Sequence, residues 1–161
     1  MLEYPHFGIH SRMPNNETRL ILADDDPDDY SFFQEALQEL GVSVQLQYCE
    51  NGATLMQLLS ASQNRELPEI LFLDLNMPRK SGFDCLKEIR GDKRFSGIDV
   101  VVISTSYEPE IVHLLYENGA DRYIVKPCTF ADLKKVIHQV FRLKSRAGLK
   151  SNSKSDFVLQ P

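Results

Sequence analysis

Short apolar runs alternate with amphipathic segments along most of this chain. Together they form five successive units, each an apolar run followed by an amphipathic segment. The first apolar run covers residues 20–23, and the segment after it repeats apolar side chains at helical spacing until Gly41. Apolar runs of this length predict buried strands, whereas repeats three and four residues apart predict amphipathic helices. The remaining predicted strands are residues 44–48, 70–73, 100–103 and 123–125.

This order of elements predicts an α/β fold, namely a five-stranded, doubly wound parallel sheet with helices on both faces. The run at 100–103 is rich in valine and isoleucine, which is typical of a strand covered on both sides. Thr129 and Asp132 are spaced to cap the last helix, which follows the fifth strand. In such a sheet, ligands bind at the carboxyl ends of the strands.

One folded unit is expected between residues 19 and 144. Residues 1–18 contain scattered prolines, glycine and asparagines without periodicity, which predicts a flexible N-terminal leader. Residues 145–161 are rich in serine, which predicts a polar and disordered tail. The chain has 161 residues, which is the usual size for one domain.

Composition narrows the classes of partner. The net charge of −5 disfavours nucleic acid, which requires a basic face. The sequence has no apolar stretch long enough to cross a bilayer and no secretory signal. We therefore expect a cytoplasmic protein that does not bind a membrane. Cys49, Cys85 and Cys128 are odd in number and widely spaced, which predicts free, buried thiols instead of disulfides or a zinc site.

Polar residues interrupt the apolar runs at the ends of four predicted strands. Asp24 and Asp25 follow the first strand, Asp74 follows the third, Ser104 the fourth and Lys126 the fifth. If the sheet is parallel, these side chains converge on one edge, where each pair of carboxylates repels by about 4 kcal/mol. One lysine cannot offset that repulsion, so the cluster predicts a hard divalent cation, with Mg²⁺ favoured by oxygen ligands. Such a site could clamp a phosphoryl group against an accepting aspartate.

Four segments resemble the receiver domains of two-component response regulators. They are residues 20–29 (LILADDDPDD), 70–82 (ILFLDLNMPRKSG), 100–106 (VVVISTS) and 123–127 (YIVKP), and they match in order and spacing. The amino-acid sequences of these segments are most similar to those of single-domain response regulators that act as partners of phytochromes. The resemblance implies a flavodoxin-like sheet with strand order 2-1-3-4-5.

The same resemblance implies a role for each matching residue. Asp74 would accept phosphate, and Mg²⁺ would be bound by Asp25, Asp74 and the backbone carbonyl of Asn76, with Asp24 acting through water. Lys126 would pair with the phosphate, and the peptide bond before Pro127 would be cis. Ser104 would turn its hydroxyl toward the phosphate, next to Thr105, which stands where alanine is frequent. Tyr123 would then swing inward, although plain core packing is the alternative for that residue.

The implied function is a stand-alone response regulator that is not an enzyme. A sensor histidine kinase or phosphotransfer protein would supply the phosphoryl group, and a conformational switch would signal to a partner protein. A second copy of the chain is a further candidate partner, which would form a homodimer through the fourth and fifth helices. Three other acids follow Asp25, namely Asp26, Asp28 and Asp29. They are expected only to stabilise the N-terminus of the first helix through its dipole.

Two alternative functions remain open at this point. Haloacid dehalogenase-type phosphatases also use an aspartate nucleophile with Mg²⁺, but they need an acid two residues later, where this chain has Asn76. An amide cannot exchange a proton in that role. The other alternative is a receiver-shaped interaction module that is never phosphorylated.

Overall fold

The computed structural model describes residues 17–161 and contains a parallel sheet with strand order β2-β1-β3-β4-β5-β6. The strands are β1 (Thr18–Ala23), β2 (Val44–Cys49), β3 (Ile70–Asp74), β4 (Asp99–Ser104), β5 (Arg122–Val125) and β6 (Val158–Leu159). Each neighbouring pair is parallel. The predicted α/β class and the order of the first five strands are confirmed, and a sixth strand is added.

Five helices connect the strands. They are α1 (Pro27–Leu40), α2 (Gly52–Ala61), α3 (Gly82–Gly91), α4 (Pro109–Glu117) and α5 (Phe130–Arg146). Side chains cap the N-termini of four of them, and the caps are Asp26, Asn51, Ser81 and Thr129. Gly41 ends α1 in the left-handed conformation with φ 66°, which glycine adopts at little cost.

Apolar side chains of the strands alternate between two packed layers. Leu71, Leu73 and Val102 face α2, α3 and α4, whereas Phe72 and Val101 face α1 and α5. All of these side chains are buried, because helices cover both faces of the sheet. The carboxyl ends of the strands, where the predicted site lies, are therefore supported by strands that are packed on both faces.

The prediction of a disordered C-terminal tail is wrong. After α5 the chain turns at Gly148, which has φ 85°, and returns to pair β6 with β5. The tail is polar on average, but Leu149 and Phe157 are completely buried. Two apolar anchors spaced eight residues apart are too sparse to give a periodic signal, so composition alone suggested disorder.

Two other predictions concern the termini and membranes. The expected N-terminal leader, residues 1–18, lies mostly outside the described residues, and Thr18 already belongs to β1. Within residues 17–161, every helix is too short or too polar to cross a bilayer.

The three cysteines differ in their environments. Cys49 and Cys85 are buried free thiols, as predicted, and burial raises the pKa of each to about 11. Cys128 is exposed, so the prediction of burial is wrong for this residue. It follows the end of β5 and lies in the loop before α5, where no layer of helices covers it.

Candidate functional site

Three carboxylates meet at the carboxyl ends of β1 and β3. Asp24 and Asp74 are 1% and 4% exposed, whereas Asp25 points to solvent. One oxygen from each of the three lies within 4.8 Å of the others. The adjacent parallel pairing of β1 and β3 produces this arrangement, because both strands end at the same edge. The structure therefore brings together the three acids that the sequence predicted to converge.

Lys126 enters the same cluster from the end of β5. Its Nζ atom lies 3.1 Å from Asp74 Oδ2, 2.9 Å from Asp24 Oδ2 and 2.8 Å from Asp29 Oδ2. The helix-dipole role predicted for Asp29 does not include this contact with Lys126. Asp29 lies in the first turn of α1, directly after the strand-end acids, and that proximity is the signal that could have identified it.

In the Asp24–Lys126 pair, both pKa values are raised. Lys126 therefore keeps its charge, and the Asp24 carboxylate takes up a proton more readily than an ordinary aspartate does. Burial raises the pKa of Asp24 to about 6, against the opposing effects of the Asp26 amide and Lys126. For Lys126, burial favours the neutral amine, but the hydrogen bonds to Asp29 and Asp24 and the charge of Asp74 outweigh it and raise its pKa. One ammonium thus faces a cluster of four carboxylates, and the cluster keeps an excess of negative charge that attracts cations.

The backbone around Asp74 is closely constrained. Asp74 Oδ1 accepts a hydrogen bond from the amide of Asn76 at 3.2 Å, and the amide of Gly82 donates to the carbonyl of Leu75 at 2.9 Å. A Cβ atom at Gly82 would lie 2.1 Å from the Asp74 carbonyl oxygen. Only glycine lets α3 begin so close to the backbone at the end of β3, where Asp74 lies.

Ser104 lies on the inner side of the cluster at the end of β4. It is 1% exposed, and its Oγ atom has no hydrogen-bond partner among the described residues. A buried hydroxyl without a partner costs about 1–3 kcal/mol, which makes it a candidate for binding a ligand oxygen. Thr105, the next residue, is exposed and lies outside the buried cluster.

Tyr123 is on the inside of the protein in this structure. Its hydroxyl donates a hydrogen bond to the carbonyl of Ser106, and its ring is buried against those of Tyr107 and Phe157. Burial also raises the pKa of its phenol. The ring already occupies the inward position that Tyr123 was expected to reach on phosphorylation.

The peptide bond before Pro127 is trans, and residues 17–161 contain no cis peptide bond, so the prediction of a cis bond is wrong. The trans backbone still directs Lys126 into the cluster. Its amide donates to the carbonyl of Ser104 at 2.7 Å, which continues the pairing of β5 with β4 up to this residue.

Comparison with known proteins agrees with this geometry. Residues 20–138 match the response regulator receiver domain. Response regulator Rcp1 of Synechocystis sp. is 29% identical over 124 residues, which cover 75% of this chain and 84% of Rcp1.

Solved structures give the same picture. The phosphorylated cyanobacterial phytochrome response regulator RcpA has a TM-score of 0.73 and 27% identity, with coverage of 81% of this chain and 95% of RcpA. The Mn²⁺-bound form of response regulator Rcp1 has a TM-score of 0.69 and 27% identity, covering 84% of this chain and 97% of that structure.

Proposed function

This chain belongs to the family of response regulator receiver domains, and on that premise we propose that Asp74 accepts a phosphoryl group. The observation that carries the proposal is that the Asp74 carboxylate lies beside two other acids and the Lys126 ammonium. Ser104 ends the adjacent strand β4, and its hydroxyl has no hydrogen-bond partner within residues 17–161. The donor would be a phosphohistidine of a sensor kinase or phosphotransfer protein. An Asp74 oxygen would form a bond to phosphorus while the phosphorus–nitrogen bond breaks and the imidazole leaves with its electron pair.

The three converging carboxylates support a divalent cation site, and Mg²⁺ is the cation that we propose. Asp25, Asp74 and the backbone carbonyl of Asn76 would bind it directly, and Asp24 would act through a water molecule. Oxygen donors and a negative cluster fit Mg²⁺, which when bound would neutralise charge on the incoming phosphoryl oxygens. The Mn²⁺-bound structure of Rcp1 supports a metal in this kind of protein.

Protein side chains would hold the other phosphoryl oxygens. Lys126 stays protonated and reaches the Asp74 carboxylate, so it can pair with a phosphoryl oxygen there. Ser104 Oγ is free to donate to another oxygen. Thr105 is exposed beside it and would border the entrance to the site.

The proposed output is a conformational change that starts at Ser104 and Tyr123. These residues are joined by the short stretch 104–107, because the carbonyl of Ser106 accepts the Tyr123 hydrogen bond. That stretch leads directly into α4, so a shift there would alter the surface of α4. The target would be a partner protein in the cytoplasm, and a homodimer through α4 and α5 is a second candidate.

The alternatives differ in how well they are supported. Response regulator receivers are signalling proteins, and the family match does not support a phosphatase of the haloacid dehalogenase type. An interaction module that is never phosphorylated has the same fold, so only a phosphorylation experiment separates it from the proposed function.

The test is phosphorylation of the chain by acetyl phosphate with Mg²⁺, followed by intact mass measurement. We expect one phosphoryl group per chain, no modification of Asp74→Asn, and unchanged modification of Asp28→Asn, a matched variant of an exposed acid in α1. Modification that survives Asp74→Asn, or none in the natural sequence, would reject the proposal. Rapid hydrolysis over many turnovers would favour the phosphatase.

A further inference from the structure

The C-terminal strap, defined here as residues 148–161, covers the outer edge of β5. Its strand β6 pairs in parallel with β5, with Tyr123 opposite Val158. The amide of Tyr123 donates to the carbonyl of Phe157 at 3.0 Å, and α5 holds the end of the strap through a hydrogen bond from Gln139 to the carbonyl of Gln160. The edge of the sheet next to Tyr123 is thus closed by the chain's own C-terminus.

A buried arginine of β5 holds the strap in place. Arg122 is 4% exposed, and its guanidinium donates to three backbone carbonyls of the strap. Nε lies 2.6 Å from the carbonyl oxygen of Leu149, Nη1 donates to that of Asp156, and Nη2 lies 3.5 Å from that of Lys150. A buried guanidinium would be costly without these acceptors, so the strap and Arg122 stabilise each other.

The strap also places an aromatic side chain against Tyr123. Phe157 is 0% exposed, and its ring centroid lies 6.4 Å from that of Tyr123 and 5.3 Å from that of Tyr116 on α4. On its other side, the Tyr123 ring meets Tyr107 at 6.4 Å. Tyr123 is therefore packed between the stretch that leads into α4 and the strap.

Direct contacts connect this packing to the candidate phosphoryl site. Tyr123 donates its hydroxyl hydrogen to the carbonyl of Ser106, two residues after Ser104. The carbonyl of Ser104 accepts a hydrogen bond from the amide of Lys126 at 2.7 Å, and the Ser104 hydroxyl has no partner in the part of the chain that the structure describes. A ligand that fixes Ser104 would restrict residues 104–107 and, through them, Tyr123.

We propose that docking of the C-terminal strap is coupled through Phe157 and Tyr123 to occupation of the phosphoacceptor site. The docked strap holds Tyr123 inward and bonded to Ser106, so it favours the arrangement of residues 104–107 that a phosphoryl group would also use. Coupling between two sites is reciprocal. An occupied site therefore tightens the strap, and a docked strap strengthens binding at the site. This inference rests on the proposed function, since it requires a phosphoryl group at Asp74.

The first experiment measures hydrogen exchange of the full chain with Mg²⁺, with and without beryllofluoride as the phosphoryl probe. The Tyr123 amide is bonded to the strap, so its exchange reports docking directly. We expect exchange at this amide and in β6 to slow by about fivefold or more on addition of the probe, the lower range of typical coupling. In Tyr123→Phe, which keeps the ring and loses the bond to Ser106, the probe should no longer slow exchange.

The second experiment measures the reciprocal effect on affinity. Phe157→Ala should weaken beryllofluoride binding in the presence of Mg²⁺ by about fivefold or more. Lys154→Ala, an exposed substitution in the same strap, should leave the affinity unchanged. If Phe157→Ala does not fold, Phe157→Leu retains an apolar side chain and should show the same effect to a smaller degree.

The outcomes of these experiments distinguish a failure of the coupling from a failure of the proposed function, the acceptance of a phosphoryl group by Asp74. If the natural chain fails to bind the probe, both the proposed function and the coupling are overturned. If it binds the probe while strap exchange stays constant or becomes faster, only the coupling is overturned. Equal affinities of the natural chain and the Phe157 variants for the probe would likewise overturn the coupling alone.

Discussion

The Nζ atom of Lys126 lies 3.1 Å from Oδ2 of Asp74, although 52 residues separate the two in sequence. The same ammonium also contacts Asp24 and Asp29, so one cation from the end of β5 compensates acids from β1, β3 and α1. The buried carboxylate of Asp74 is therefore paired with an ammonium from the end of β5, a strand that is not adjacent to β3 in the sheet.

Replacing Lys126 with Met should destabilise the fold when no divalent cation is present. Asp24 and Asp74 would remain buried without their counter-charge, which we expect to cost about 3 kcal/mol. Urea unfolding in EDTA should show the loss, and added Mg²⁺ should restore more stability to the variant than to the natural chain. Lys135→Met, which removes an exposed pair with Asp132, should change stability by less than about 1 kcal/mol. Equal losses in the two variants would contradict this account.

Asp25 should control metal affinity without affecting the fold. It is exposed and contributes an oxygen to the three-acid cluster, so Asp25→Asn removes negative charge from the site but leaves the core intact. We expect roughly tenfold weaker Mg²⁺ binding by calorimetry, because ligand charge tunes the affinity of such sites. Asp28→Asn is the control and should bind Mg²⁺ normally. Unchanged binding by the Asp25 variant would place the metal elsewhere.

Gly82 should tolerate no side chain. A Cβ there would meet the Asp74 carbonyl oxygen at 2.1 Å, so Gly82→Ala must displace either β3 or the start of α3, at a cost of about 3 kcal/mol. Phosphorylation by acetyl phosphate should also slow, since Asp74 moves. Gly91 is in the same helix with open space around its Cβ position, and Gly91→Ala should be neutral or stabilise by up to about 1 kcal/mol. Urea unfolding of both variants provides the comparison.

Arg122→Met should release the C-terminal strap. Three backbone carbonyls lose their donor, which we expect to cost about 2–4 kcal/mol, mainly as local opening of residues 149–159. Hydrogen exchange should therefore become faster in β6 and at the edge of β5 but stay slow in β1 and β3. Arg94→Met removes an exposed pair with Asp92 and should alter neither region. Slow exchange in β6 of the Arg122 variant would contradict the role assigned to this arginine.

The cysteines should differ in reactivity toward iodoacetamide. Cys49 and Cys85 are buried, and their pKa values are raised to about 11, so little thiolate forms at pH 8. Cys128 is exposed and should be the first to react in the folded protein. Mass spectrometry should find one alkylation in native buffer and three in denaturant. Rapid native alkylation of Cys49 would show that β2 opens at the edge of the sheet.

The strands, the helices and the convergence of the site acids could be predicted because their signals are local. Apolar runs mark β3 and β4, and capping residues such as Ser81 and Thr129 mark helix starts. The parallel arrangement then follows from the alternation of elements, and it requires Asp24, Asp25 and Asp74 to meet at one edge. No knowledge of side-chain contacts is needed for these steps.

Other features depend on where distant backbone groups lie in space. Asp29 meets Lys126 across 97 residues, and Arg122 binds carbonyls 27 to 34 residues later in the chain. Backbone carbonyls have no residue-specific signature, so nothing in the polar composition of residues 145–161 reveals that a guanidinium binds them. The exposure of Cys128 likewise follows from how the loop before α5 packs, which local patterns do not encode.

Hydrophobic periodicity and strand-end chemistry are properties of adjacent residues, so the fold class and the acidic cluster can be predicted from the order of the amino acids alone. The sixth strand at the C-terminus and the packing of Phe157 against Tyr123 become apparent only in the folded chain. Those contacts arise from a few anchors that become adjacent only after the sheet has formed. Their stabilisation therefore belongs to the assembled fold and has no counterpart in any local stretch of the chain.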